Sequence, residues 1–216
     1  MKNYSYYLFD ADGTLIDTTE LIYRCFVHTC ATFGNIPVSR KDIVKNIGLT
    51  LRRQMEVYFG PLDDKEFALR AKEHMKYQLS IYRDHLRIFP TVREGLDRLR
   101  TRGRTCAIVT SRRRETLDLY LKETGIYDYF KVFVTPENTE KHKPDPEPAL
   151  AALTMLGAPD KANAVFIGDS EFDIECGRRA GLDTAFVAWS HNDPAALPSQ
   201  PTYLVSDLTQ MCPDAV

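Results

Sequence analysis

The sequence has no apolar run approaching the roughly 20 residues that a membrane-crossing helix needs, and no basic, apolar and small-residue succession near its start. Met1 is followed almost at once by the strand-like Tyr6-Tyr7-Leu8-Phe9, so neither secretion nor membrane spanning is expected. Cysteine is sparse: Cys25, Cys30, Cys106, Cys176 and Cys212 are odd in number, scattered, and contain no C-x-x-C pair. That excludes a disulfide framework and points to a reducing, cytoplasmic setting. An excess of charge of one sign is also missing. A formal net charge of −2 gives no global field for holding a phosphate polymer, so no nucleic-acid partner is expected. His28, His74, His85, His142 and His191 show no ligand spacing such as H-E-x-x-H, and no catalytic role is assigned to them. Internal repeats and low-complexity stretches are absent.

What is present is ordinary for a globular chain. With 216 residues, 44% hydrophobic and 27% charged, one full domain with a sizeable insertion fits better than two equal domains. Tyr6 to Phe9 is a short apolar run that empties into Asp10-Ala11-Asp12-Gly13-Thr14, which predicts a buried strand ending in a polar turn. Asp17-Thr18-Thr19-Glu20 reads as a capping box, and Leu21, Ile22, Cys25, Phe26, Thr29 and Phe33 follow at helical spacing. From there to about Arg83 only helical patterns occur, including a long one with Phe67, Ala71, Met75, Leu79 and Tyr82 on one face. After Pro90 helices and strands alternate: helix from Val92, strand at Cys106–Val109, helix through Leu117 and Leu121, strand at Val132–Val134. The series goes on with a helix near Ala149–Leu156, a strand at Val165–Ile167, a helix around Ile174–Ala180 and a strand at Ala185–Val187. Continuous apolar strands in such alternation predict an α/β fold, a Rossmann-like parallel sheet covered on both faces. Residues 1–15 and 86–216 are expected to form that core, and residues 16–85 an all-helical insertion after the first strand.

In open parallel sheets ligands bind beyond the carboxyl ends of the strands, so the residues just past each strand belong on one list. It contains Asp10 and Asp12, Thr110 and Ser111, Lys143 in a polar loop, and Asp169 with Asp173. These are the parts of a phosphoryl-transfer site. A carboxylate can attack a phosphate ester only where cations mask the repulsion, which suits magnesium on Asp10 and Asp169 together with the fixed charge of Lys143. The proline after Lys143 favours it over Lys141. Thr110 and the backbone amides of the Asp10–Gly13 turn can receive the phosphoryl oxygens, and Asp12 can protonate the leaving oxygen and later take a proton from water. Asp173 is a weak metal ligand or a helix cap. The Arg112-Arg113-Arg114 run opens a predicted helix, where positive charge is disfavoured, so it is either solvated or answers a nearby anion.

These clusters resemble the haloacid dehalogenase-like hydrolase superfamily. Asp10-Ala11-Asp12-Gly13-Thr14-Leu15 is similar to its first motif, Thr110 after an apolar strand to its second, Lys143-Pro144 to its third, and Gly168-Asp169-Ser170-Glu171-Phe172-Asp173 to its fourth. The resemblance implies a magnesium-dependent phosphatase in which Asp10 is the nucleophile and Asp12 the acid/base, the latter lending a backbone carbonyl to the metal. Asp169 and Asp173 would complete the metal site. It also implies that the helical insertion is a cap that closes over the site and sets specificity. Lys143-Pro144-Asp145-Pro146-Glu147-Pro148 and Val187-Ala188-Trp189 are similar to the phosphoglycolate phosphatase branch, whose relatives include pyrophosphatases. Gly48-Leu49-Thr50-Leu51 lies where that branch carries a substrate-facing loop, so Arg52, or Arg53, is expected to bind a carboxylate or second phosphate. The departure is Ser111-Arg112-Arg113-Arg114, where relatives usually carry Asn or Ser and a single basic residue. The expected substrate is a small phosphometabolite, 2-phosphoglycolate first, then pyrophosphate or a sugar phosphate or nucleotide. A β-phosphoglucomutase-like mutase ranks lower for want of a Gly-x-Ser-Arg-like loop, and a non-catalytic binding protein lowest. Asp12 argues against a dehalogenase. The oligomeric expectation is a monomer or homodimer.

Overall fold

The computed structural model describes residues 1–158 and 160–211; Cys212 lies outside them. In chain order the strands are β1 (Tyr6–Phe9), β2 (Ile16–Asp17), β3 (Arg87–Ile88), β4 (Thr105–Val109), β5 (Phe130–Val134), β6 (Ala164–Gly168), β7 (Asp183–Val187) and β8 (Tyr203–Val205). The helices are α1 (Thr19–Thr32), α2 (Arg40–Asn46), α3 (Leu51–Phe59), α4 (Asp64–His85), α5 (Val92–Thr101), α6 (Arg114–Glu123), α7 (Glu147–Leu156) and α8 (Glu171–Ala180). Six strands make one sheet in the order β5-β4-β1-β6-β7-β8, each neighbour parallel to the next. The α/β fold expected from the alternation is therefore present.

The strand residues explain the layering. Side chains alternate across a strand, so Tyr7 and Phe9 face one layer with Cys106, Ile108, Val165 and Ile167. Leu8 faces the other with Ala107, Val109 and Phe166, under Ala149 and Leu153 of α7 and Cys176 and Ala180 of α8. Gly177 allows the approach of α8, because a Cβ there would meet Phe166 Cβ at 2.8 Å. β1 lies centrally, between β4 and β6. From it the chain order runs outward in both directions, which makes the carboxyl end of β1 the switch point of the sheet.

Helices α1 to α4 occupy the segment between β2 and β3. Those two-residue strands pair antiparallel, Ile16 with Ile88 and Asp17 with Arg87, so the segment leaves and rejoins the sheet at one place. Its apolar interior gathers Ile22, Phe26, Ile43, Ile47, Met55, Leu62 and Ala71. Two local expectations need correction. The residues Asp17 to Glu20 do not close a capping box: Thr18 stands at the N-cap without a side-chain cap bond, because its hydroxyl is turned to Asp12 at 2.5 Å. On α4 the buried residues are Ala71, His74, Gln78 and Tyr82, whereas Leu79 is 41% exposed. The inward face of this long helix thus runs through two polar residues.

Candidate active site

Asp10 leaves β1 at the switch point, its N–H donating to Ile167 O of β6 (2.9 Å). Its side chain is 4% exposed, and Lys143 Nζ reaches the carboxylate at 2.7 Å while also donating to Asp173 Oδ1 at 2.6 Å. The other oxygen of Asp173 accepts from the N–H of Asp169 (3.2 Å), the N–H of Ser170 (3.1 Å) and Ser170 Oγ (2.6 Å). Asp173 therefore caps α8, one of the two roles that its sequence position left open, and also aligns the lysine. Gly168 makes room for it, since a Cβ there would lie 2.2 Å from Asp173 Cβ.

Asp169 is held from several sides. Thr14 Oγ1 donates to its carboxylate (3.2 Å), while Ser190 Oγ and Asn192 Nδ2 donate to its carbonyl at 2.6 and 3.1 Å. Gly13, at φ +83°, passes so close that a Cβ would meet Asp169 Oδ2 at 2.2 Å. Only a residue without a side chain serves there, because the left-handed turn and the carboxylate demand the same thing.

Asp10, Asp169 and Asp173 each offer an oxygen, and these atoms lie within 4.8 Å of one another. Burial pushes the Asp10 carboxyl up to about 7, against the pull of Lys143 and with further push from Asp173 and Asp12. Burial, then Asp173 and Asp10, also holds Asp169 well above the usual carboxylate range. Burial opposes the charge on Lys143, but Asp10 and Asp173 more than offset it and hold its pKa high. Three buried carboxylates against one ammonium leave an excess of negative charge, and charges so buried are costly unless neutralised. An all-oxygen set of this kind suits a hard divalent cation such as magnesium.

Asp12 lies apart from that convergence. Arg112 binds it through Nε (2.7 and 3.0 Å) and Nη2 (2.7 Å), and Thr18 Oγ1 donates to it as well. The fork occupies the Asp12 carboxylate, and the metal role expected of this residue falls to its backbone carbonyl alone. Arg112 packs over the Tyr120 ring at 4.6 Å and is itself buried. Of the arginine run, Arg112 answers a buried anion, while Arg113 pairs with Glu137 (3.5 Å) and Arg114 with Asp118 (2.7 Å).

The remaining expected site residues divide. Thr110 and Ser111 line the cavity above Asp10, and Ser111 Oγ donates to Gly48 O (2.5 Å), tying the sheet to the loop before α3. Gly13 stands beside the site, but its N–H donates to Ile16 O (2.9 Å), so it offers no donor to a phosphoryl oxygen. Arg52 is a correction: its guanidinium donates to Leu62 O (3.0 Å) and Asp64 (2.7 Å) and packs over Phe67, within the helical segment. Its position on α3 turns it toward α4 rather than toward Asp10. The thiols of Cys25 and Cys176 are buried and pushed up to about 12, which suits core packing, not nucleophilic chemistry.

His74 and Gln78 of α4 also line the cavity, and neither was expected in the site. Their signal was weak, because a polar residue on a buried helix face reads as a break in the apolar period.

A comparison with known families matches residues 7–187 to the haloacid dehalogenase-like hydrolases. The chain belongs to that family. It is an enzyme, a phosphatase of the family's kind. It is 34% identical over 206 residues to pyrophosphatase PpaX of Bacillus velezensis, spanning 94% of this chain and 93% of that protein. The corresponding figures for PpaX of Bacillus pumilus are 35% over 206 residues, 94% and 93%. Among solved structures, a Lactobacillus plantarum protein named putative phosphoglycolate phosphatase superposes with a TM-score of 0.85 at 25% identity, covering 97% of this chain and 98% of its own. A β-phosphoglucomutase from Clostridium difficile shares the fold, with a TM-score of 0.84 at 18% identity over 96% and 93% of the two chains. Among the described residues no helix is long and apolar enough to cross a membrane.

Proposed function

We propose that this phosphatase hydrolyses a small phosphorylated metabolite with magnesium bound at Asp10 and Asp169, carrying the phosphoryl group transiently on Asp10. The observation that carries the reading is the buried meeting of Asp10, Asp169 and Asp173 around Lys143. Bound there, magnesium would supply charge neutralisation for the attacking carboxylate and the phosphoryl oxygens. The protein's residues do the rest. Asp10 Oδ attacks phosphorus, the bond from phosphorus to the leaving oxygen breaks, and the electron pair departs on that oxygen. Asp12, released from Arg112 and Thr18 and carrying a proton taken from solvent on that release, gives this proton to the leaving oxygen. Water then attacks the phosphoryl group on Asp10 and returns a proton to Asp12, so that inorganic phosphate leaves and the Asp10 carboxylate is restored. Lys143 and Thr110 hold the phosphoryl oxygens, and the helical segment excludes bulk water as a cap.

The order of substrates is a separate matter. The names of the relatives favour pyrophosphate, and the motif after Lys143 favours 2-phosphoglycolate; both leave as anions. Phosphate release from a panel of phosphometabolites, with magnesium and with chelator, tests the general reading. Magnesium-dependent turnover that Asp10→Asn abolishes supports it. Absence of turnover for every ester and anhydride would overturn it.

A further inference from the structure

Lys143 has to be placed with unusual precision. A lysine is a point charge on four flexible carbons, yet its Nζ meets Asp10 at 2.7 Å and Asp173 at 2.6 Å with the side chain 1% exposed. The backbone at residue 143 must therefore be fixed, because a displacement of about 1 Å at a reacting group costs on the order of a hundredfold in rate. That backbone belongs to neither a helix nor a strand. Between Asn138, which ends the short turn after β5, and Glu147, which begins α7, the chain is irregular.

One carboxylate organises this stretch. Glu147 Oε1 accepts from the N–H of Glu140 and Glu147 Oε2 from the N–H of Lys141, both at 3.0 Å. Two further bonds close the chain between those amides and Glu147. The N–H of Asp145 donates to His142 O at 2.9 Å, and the N–H of Glu147 donates to Asp145 Oδ1 at 3.0 Å. Lys143 thus lies in a turn from His142 to Asp145, inside a loop whose two ends are joined through the Glu147 side chain. Bonds from amides to a charged acceptor are stronger than neutral ones, and the first turn of α7, where Glu147 stands, favours its negative charge.

Other supports of the loop are slight. Within residues 139–147 Lys143 alone is buried. The outer side of the loop borders an open cleft shared with Leu49, Arg53 and Glu56, and from α8 comes one long contact, Arg179 Nη1 to Pro144 O at 3.5 Å.

We infer that Glu147 is a positioning residue for phosphoryl transfer: its carboxylate, bridging the Glu140 and Lys141 amides, holds the loop that delivers Lys143 between Asp10 and Asp173. The inference rests on the phosphatase reading, in which Lys143 holds the phosphoryl oxygens.

The test pairs turnover with a probe of where the lysine lies. With magnesium and p-nitrophenyl phosphate, Glu147→Ala should lower kcat/KM at least about tenfold. Glu147→Gln keeps one accepting oxygen and should lie between that variant and the wild type, at least about threefold below the latter. Trace acetylation by acetic anhydride, read by mass spectrometry after digestion, reports access to Lys143 without any turnover, with the 71% exposed Lys141 side chain as internal reference. Relative to Lys141, labelling of Lys143 should rise at least about tenfold in Glu147→Ala and at least about threefold in Glu147→Gln, the scale set by the charged hydrogen bonds removed. A residue that only stabilised the fold would leave Lys143 protected in the folded variant. Should Glu147→Ala not fold, Glu147→Gln carries both comparisons. A smaller fall in turnover, or the full fall with Lys143 as protected as in the wild type, overturns this inference and leaves the phosphatase reading standing. A wild-type enzyme that turns over neither p-nitrophenyl phosphate nor any phosphometabolite overturns both.

Discussion

Replacing His74 by Asn should flatten the acid side of the stability profile. The imidazole is 4% exposed, its Nδ1 proton is spent on Thr29, and protonation would place a second proton on Nε2 with no acceptor of its own and with Arg112 and His28 repelling it. The folded pKa falls from 6.5 to about 3, so the unfolded chain binds the proton that the native state refuses. Stability that is fully present above the unfolded value is then lost as pH falls toward the folded one. Over that window the loss from this residue is about 2 kcal/mol by pH 5 and about 3 kcal/mol by pH 4. Asn keeps an N–H for Thr29 and removes the titration. Urea unfolding of wild type and His74→Asn at pH 7 and pH 5 gives the difference directly, because other titrating groups are common to both. Wild type should lose about 2 kcal/mol more than the variant between those two conditions. Parallel losses would refute the assignment of a neutral buried ring.

Three further perturbations probe the site itself. Lys143→Met leaves Asp10 and Asp173 buried without their counter-ion, so stability without magnesium should drop by about 3 kcal/mol, and the thermal shift on adding magnesium should grow; an unchanged melting temperature in chelator would contradict the pairing. Arg112→Ala strands the buried Asp12 carboxylate at a similar cost of about 3 kcal/mol, and Arg112→Lys should recover only part of it because an ammonium lacks the two-pronged geometry. Gly13→Ala forces a Cβ into Asp169 at a left-handed φ, so the magnesium concentration for half-maximal activity should rise at least about tenfold, as read from a metal titration of phosphate release.

The sheet was legible because each of its main strands is a short apolar run, and burial on both faces leaves no polar alternation to confuse the period. β8 escaped notice: Tyr203–Val205 is three residues at the sheet edge, with Leu204 58% exposed. The two-residue strands β2 and β3 carry no pattern at all. At the site, Asp10, Lys143 and Asp169 could be grouped from sequence because each follows a strand whose carboxyl end faces the switch point. Partnerships across the chain could not. The Asp12–Arg112 fork joins residues a hundred positions apart, and Thr18, which stands at the observed N-cap of α1 in place of the expected Asp17, gives its hydroxyl to Asp12. Arg52 was misplaced for a related reason: adjacency to the Gly48–Leu51 loop does not say which way a side chain on α3 points. His74 and Gln78 were overlooked because their burial follows from the packing of α4 over the cavity, not from hydrophobicity.

The central claim is a phosphoryl group carried on Asp10, and trapping it is the most direct test. Enzyme mixed with magnesium and a turned-over phosphomonoester, quenched in acid within the first turnover and digested, should yield the peptide containing Asp10 heavier by one phosphoryl group. That mass should vanish on hydroxylamine treatment and be absent from Asp10→Asn. Phosphate release at the wild-type rate by Asp10→Asn, or the added mass on a peptide without Asp10, would contradict the account.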